Sequence, residues 1–252
     1  LGKDLNIIHE EFGNIKTSPA NPSEDNHLKV DINFISFDNI RKKMSYVDTK
    51  RVIVYKNSVE NKGYALLNEN RYDEPWDHII LDDFITQDCY ESIIETIEDK
   101  YLEYPVFTDA GERYMMPFSI NMDHQKVVNE IEEYKEKWMD FFNIPKQKTS
   151  VITEISVVGN PFKYIIHPDR PAKLISFIIY LTPLNLSDDI YESLGTKLYN
   201  NKKEHIKTVK AIPKRALIFS PLNRKSFHSW EHTNFKFKSI KRFSMVVCIT
   251  NE

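Results

Sequence analysis

The sequence predicts a mainly β protein with buttressing helices, arranged as a β-sandwich or jelly roll. Two observations carry that prediction. From Thr149 onward the helical period disappears, and short runs rich in Ile, Val and Phe follow one another to the end of the chain. Ahead of them lie two stretches with apolar residues at helical spacing, so the helices precede the strands rather than alternating with them. Six glycines in 252 residues leave few glycine-based turns, which singles out Gly159 and Gly195 for a specific backbone role.

Residues 1–74 differ from the rest and read as an N-terminal extension, with residues 75–252 as the main domain. Thr17 to His27 carries two prolines and almost nothing apolar, the composition of a loop or linker. Val30, Ile32 and Phe34 alternate with polar residues as in a strand, and Arg51–Tyr55 can pair with Gly63–Leu67 as a hairpin. No catalytic constellation falls in this region.

In the main domain, His78–Leu81 reads as a short strand. A helix then starts near Thr86, its N-cap, and places Cys89, Ile93, Ile94, Ile97 and Tyr101 at helical spacing. A second helix is expected from about His124 to Phe142, with Val127, Ile131, Tyr134, Trp138 and Phe141 on one face. The strands that follow are expected over 150–158, 162–167, 173–182, 206–212, 215–220 and 242–250.

Composition narrows the function. A formal net charge of -3 provides no electrostatic footprint for nucleic acid or an anionic membrane, and no apolar run is long enough to span a bilayer. Two distant cysteines, Cys89 and Cys248, fit neither a disulfide framework nor a zinc knuckle, which suits a reducing, cytoplasmic setting. The start at Leu1, with no initiating methionine, points to a fragment or a trimmed chain.

The chemistry concentrates in Tyr164-Ile-Ile-His167-Pro-Asp169, followed much later by His228 and by Arg242-Phe-Ser244. On an extended chain His167 and Asp169 face the same side. With a histidine from a distant strand they can form a three-ligand facial site for Fe(II) that leaves coordination positions open. An Arg-x-Ser pair can hold a dicarboxylate beside such a metal, since a guanidinium binds a carboxylate through two parallel bonds. His232, four residues after His228, competes as the distal ligand. His9, His27, His78, His124 and His205 have no partners at ligand spacing and are expected to be solvated.

The order of these features resembles the Fe(II)/2-oxoglutarate dioxygenases, specifically the branch that includes the prolyl hydroxylases. The resemblance runs from Trp76-Asp-His-Ile-Ile-Leu-Asp-Asp-Phe84 through Lys173–Pro183, Gly195–Tyr199 and Arg215–Phe219 to Phe227-His228-Ser-Trp230, covering about residues 75–252. It implies a double-stranded β-helix core with His167, Asp169 and His228 as iron ligands. Arg242 would bind the distal carboxylate of 2-oxoglutarate, with Ser244 and Tyr180 beside it and Tyr164 lining the pocket. The family's Gly-Gly pair appears as Gly195-Thr196, a change in the pocket wall. The resemblance also implies O2 as co-substrate, ascorbate as a reductant, and hydroxylation of a C–H bond with release of succinate and CO2.

Relatives act on prolyl residues of proteins, on sugars and on other small molecules, so a small-molecule or peptidyl substrate is expected and the fold does not choose among them. Leu184–Leu194 and Phe107–Met116 are candidate lids, and Lys173 and Lys197 either meet an anionic substrate or cap strand ends. A jelly-roll ligand-binding module, a pseudo-oxygenase without turnover and a non-redox metal hydrolase are the competing readings.

Overall fold

A nine-stranded antiparallel sheet organises the described residues from Arg71 onward. The computed structural model describes residues 70–251 apart from 107–109, 223–224 and 234–238, together with 17–18, 29–30 and Leu67. The chain divides into two units, Leu1–Lys50 and Arg51–Glu252. In the first, Thr17–Ser18 (β1) pairs antiparallel with Lys29–Val30 (β2). The strand expected over 32–34, the hairpin from Arg51 and the residues His9 and His27 lie outside the described residues.

In the second unit the elements run Arg71–Tyr72 (β3), His78–Leu81 (β4), helix Gln87–Lys100 (α1), Pro105–Val106 (β5), Gly111–Met116 (β6), helices Met122–Glu133 (α2) and Lys135–Phe141 (α3), and Thr149–Lys163 (β7). They continue as Lys173–Tyr180 (β8), helix Asp188–Ser193 (α4), Thr196–Tyr199 (β9), His205–Val209 (β10), Ala216–Phe219 (β11), His228–Ser229 (β12), Glu231–His232 (β13) and Arg242–Asn251 (β14). The large sheet has the order β3-β4-β11-β8-β14-β7-β6-β5, with β13 also paired to β7; β10-β9-β12 form a second, three-stranded sheet. This is the two-sheet jelly-roll architecture that the strand pattern predicts.

The two faces of the large sheet do different jobs, because alternate residues of a strand point to opposite sides. Phe177 and Ile179 of β8, Ile218 of β11, and Phe243, Met245, Val247 and Ile249 of β14 join one core cluster with Ile93 and Ile97 of α1, Val127 and Ile131 of α2 and Trp138 of α3. The helices therefore cover this face. The other face carries Ile178 and Tyr180 of β8 and Leu217 and Phe219 of β11, which form a second cluster with Leu198 of β9 and Val209 of β10. Apolar side chains from both sheets thus meet in this second cluster.

Local chemistry sets the helix starts. Thr86 caps α1 by accepting from the Cys89 amide at 3.2 Å, and Asn121 caps α2 by accepting from the His124 amide at 2.8 Å. Replacing Thr86 by alanine is expected to lower stability by about 1 kcal/mol, read from urea midpoints, since the amide it satisfies becomes an orphan. The single helix expected over 124–142 is two helices that meet at Tyr134 (φ −101, ψ 12). No glycine or proline marks that break in the sequence.

The break expected after residue 158 is absent: β7 runs on from Thr149 to Lys163, and of the strand expected over 162–167 only the first two residues belong to it, His167 making an isolated bridge. β7 runs through Pro161 by a register irregularity, where Gly111 faces Phe162 but Arg113 faces Val158. An irregular register accommodates a proline, which has no amide to donate. Gly111 (φ +127) is the glycine with the strictest backbone role here, because a Cβ on it would lie 2.0 Å from the Pro161 carbonyl oxygen. At Gly195 an added Cβ would meet the Val209 carbonyl oxygen at 2.5 Å. Phe107–Met116 is therefore no lid over its described part, since Gly111–Met116 is a strand of the large sheet. Leu184–Leu194 contains α4.

Two histidines expected at the surface are fully buried instead. His124 donates from Nε2 to Thr153 Oγ1 at 2.7 Å while its Nδ1 accepts from the Ile120 amide, and His78 bonds through Nδ1 to the Trp76 carbonyl at 2.7 Å. Burial pushes both down to about 4 from an ordinary value of 6.5. Between those two pH values the unfolded chain takes up protons that the folded chain refuses. Their contribution to stability is complete above pH 6.5 and drains away as the pH falls toward 4, by up to about 1.4 kcal/mol per pH unit for each histidine. Urea unfolding at a series of pH values checks this, and a flat profile across that window contradicts it.

Candidate metal centre

His167 and His228 are brought together by backbone. Each donates its amide to the other's carbonyl, at 3.1 and 3.0 Å, forming an isolated antiparallel bridge between the segment after β7 and strand β12. That pairing sets the two imidazoles side by side with ring centroids 4.5 Å apart. Asp169 follows two residues after His167, and one ligand atom from each of His167, Asp169 and His228 lies within 4.8 Å of the others. His232 takes no part in this cluster: its Nε2 is 2.6 Å from the Ile240 carbonyl.

Each histidine of the cluster is oriented in the same way. Nδ1 of His167 lies 2.9 Å from the Ile165 carbonyl, and Nδ1 of His228 lies 2.8 Å from the Ser226 carbonyl. A carbonyl only accepts, so the proton sits on Nδ1 and the Nε2 lone pair is left for a metal. Burial holds the His228 imidazole at about 4, against the pull of Asp169 and with help from His167, so it is neutral at physiological pH as a ligand must be.

Asp169 is held on both oxygens, by the Lys173 ammonium at 3.0 Å on Oδ1 and by the Ser176 hydroxyl at 2.7 Å on Oδ2. Burial raises its pKa, but Lys173, His228 and Ser176 together outweigh that and leave it below the ordinary carboxylate value. Two imidazoles that offer Nε2 and a carboxylate form a donor set suited to Fe(II), which takes such a facial triad with positions to spare. The residues present fit the metal.

A second, cationic feature lies on the same face of the sheet. Arg242 is 2% exposed and is held by the Leu194 carbonyl at 2.8 Å, the Ser244 hydroxyl at 3.2 Å and the Thr196 hydroxyl at 3.4 Å. Its guanidinium lies over the Trp230 ring, 4.6 Å from the centroid, and 5.5 Å from that of Tyr180. Among the described residues no carboxylate pairs with it. Burial pulls its pKa down to about 10, with the Tyr180 phenol opposing and Arg113 adding to the fall. A buried cation with only neutral partners among the described residues could receive an anion.

The remaining site candidates fall around these two features. Tyr180 faces Ser244 directly across β8 and β14, is fully buried, and donates its hydroxyl to Thr196 at 2.7 Å. Tyr164 sets its ring against His167, with centroids 4.7 Å apart, and lies parallel to Trp230. Of the two lysines, Lys173 is committed to Asp169 and Lys197 to Glu231.

Sequence reasoning missed Ser176, Thr196, Trp230 and the Leu194 carbonyl. Thr196 carried a signal: it stands where the resemblance expects a second glycine, and its hydroxyl bonds both Arg242 and Tyr180. The others meet their partners through turns and layer packing, which spacing along the chain does not reveal.

No family model matches the chain, and no curated protein sequence matches it either. Solved structures do. A prolyl-4-hydroxylase from Pseudomonas putida is 9% identical, with a TM-score of 0.55 over 69% of this chain and 92% of that one. A prolyl hydroxylase from Trichoplax adhaerens, in complex with a peptide fragment of the hypoxia inducible factor oxygen degradation domain, is 13% identical, with a TM-score of 0.53 over 86% of this chain and 94% of that one. HygX from Streptomyces hygroscopicus, with nickel and 2-oxoglutarate bound, is 7% identical, with a TM-score of 0.51 over 69% and 82%. At these identities the likeness is one of fold: this chain has the jelly-roll fold of the 2-oxoglutarate oxygenases.

Proposed function

We propose that this chain is an Fe(II)- and 2-oxoglutarate-dependent dioxygenase that hydroxylates a C–H bond of a small-molecule, sugar or prolyl-type peptidyl substrate. The observation that carries the proposal is the buried Arg242, without an anionic partner among the described residues, on the same interior face as the His167–Asp169–His228 cluster. A metal hydrolase has no need of that socket, and a simple binding module has no need of the oriented triad.

In this reading His167 and His228 bind Fe(II) through Nε2 and Asp169 through a carboxylate oxygen. Lys173 and Ser176 fix the carboxylate so that it cannot swing away. Arg242 grips the distal carboxylate of 2-oxoglutarate, and the Ser244 hydroxyl, which its Nη1 now holds, is free to donate to the same group. Tyr180 and Thr196 brace the guanidinium from the side, and Phe219, Leu217 and Leu198 keep water from the interior. Fe(II) with 2-oxoglutarate would supply the oxidative chemistry, coupling O2 reduction and release of succinate and CO2 to hydroxylation.

The Pseudomonas and Trichoplax prolyl hydroxylases and HygX share this fold, which supports the class. Ascorbate would act as an external reductant during uncoupled turnover. The test is formation of succinate from 2-oxoglutarate by the Fe(II)-loaded protein in air, followed by mass spectrometry. Slow succinate release without added substrate is expected. Binding of 2-oxoglutarate without succinate marks a pseudo-oxygenase, and no binding at all returns the chain to the ligand-binding modules.

A further inference from the structure

The large sheet carries a second arginine on the face of the site. Arg113 on β6 and Arg242 on β14 are both cross-strand partners of Val158 on β7, so all three side chains leave the sheet on the same side. From there the Arg113 side chain runs along β7. Its Nε donates to Ser156 Oγ at 3.2 Å, and its Nη2 reaches Glu154 Oε1 at 3.4 Å. Ser156 is in turn the cross-strand partner of Ser244, the residue bonded to Arg242. The guanidinium also lies 6.0 Å from the centroid of Tyr164, whose ring abuts His167. Arg113 thus stands one aromatic ring away from the metal ligands and beside the co-substrate socket, without belonging to either.

Its ion pair is unlike the other arginine–carboxylate pairs among the described residues. Arg71 forks Asp77 with contacts of 2.7 and 2.6 Å, and Arg215 forks Asp82 with contacts of 2.5 and 3.0 Å. These are two-point bonds of the strong kind. Arg113 makes one long contact to its carboxylate, and among the described residues Nη1 has no hydrogen-bond partner. The side chain is 16% exposed, so it is held by the sheet yet still reached by solvent. The Glu154 side chain is itself 33% exposed, so water can solvate it when its partner leaves. An incoming carboxylate can therefore take over the fork of Arg113 without leaving Glu154 isolated.

We propose that Arg113 is a specificity-determining residue that receives a carboxylate of the primary substrate, its guanidinium placing that substrate against Tyr164 and the open side of the metal centre. The assignment rests on the oxygenase reading and deepens it. It selects acidic substrates, or segments ending in or flanked by a carboxylate, from the small-molecule and peptidyl classes.

The test uses Fe(II)-loaded protein with saturating 2-oxoglutarate and matched pairs of probes: N-acetyl amino acids, prolyl ones included, and their carboxamides. Succinate formation above the rate without probe is the readout. With wild type, stimulation by the carboxylate member is expected at KM values at least about ten-fold below those of its amide. In R113M that preference should collapse through KM, and R113K, which keeps the charge but not the fork, should recover only part of it. Circular dichroism of each variant verifies that it is folded. Equal stimulation by acids and amides, silence from every carboxylate, or a preference that persists in R113M would overturn the assignment. Failure of wild type to bind 2-oxoglutarate in the presence of metal would instead overturn the oxygenase reading beneath it.

Discussion

Replacing Asp169 by alanine is expected to abolish metal-dependent activity and to weaken divalent-metal binding by at least about 100-fold. The side chain supplies the one anionic ligand of the cluster, and two neutral imidazoles alone hold a hard divalent ion poorly. A second consequence is structural. The structure shows Asp169 gripped by Lys173 and Ser176, so its removal strands a largely buried ammonium, with a side chain 23% exposed. A loss of stability of roughly 1–3 kcal/mol is therefore expected as well. Cobalt(II) titration followed by absorbance measures the first effect and urea unfolding of the metal-free protein the second. Wild-type cobalt affinity in the variant would remove Asp169 from the ligand set.

Replacing Arg242 by methionine should separate binding from stability. Affinity for 2-oxoglutarate is expected to fall by about 30- to 1000-fold, the cost of leaving a buried carboxylate without its charged partner. The metal-free, co-substrate-free protein should lose little stability or gain some. In that state the guanidinium is a buried cation held, among the described residues, by neutral acceptors, and an apolar side chain of similar length relieves that cost. Calorimetric titration of 2-oxoglutarate into the Mn(II)-loaded protein and thermal unfolding of the unloaded protein provide the two readings. A marked loss of stability with unchanged affinity would make Arg242 a structural residue.

The sheet was legible because its strands are nearly continuous runs of β-branched and aromatic residues. Buried on both faces, β8, β11 and β14 leave little room for other residue types. Helix α1 was legible because Thr86 and the spacing from Cys89 to Ile97 agree. The strand β6 was not: Gly-Glu-Arg-Tyr-Met-Met has no clean alternation, and its pairing with β7 is interrupted.

At the site, His167 and Asp169 stood out because they sit two apart beside a proline, and His228 and Arg242 because their order matched a known pattern. The partners that hold them did not stand out. Ser176 meets Asp169 only because the chain turns between them, and Thr196 meets Arg242 because β9 lies across the interior from β14. Likewise, His78 and His124 looked solvated because what satisfies them is a backbone carbonyl in one case and a strand threonine in the other. Spacing along a chain reveals which side chains share an element, whereas register and layer packing decide which of them meet.

The proposed pairing of an iron triad with a 2-oxoglutarate socket on one interior face is tested by the complex that the two would form together. Wild-type protein is titrated anaerobically with Fe(II) and 2-oxoglutarate and watched for the visible charge-transfer band of a chelated metal–co-substrate complex, with D169A and R242M alongside. The band should grow and saturate in wild type, be absent in D169A, and require far more 2-oxoglutarate in R242M. A folded wild-type protein that binds Fe(II) but develops no band at any co-substrate concentration would contradict that pairing.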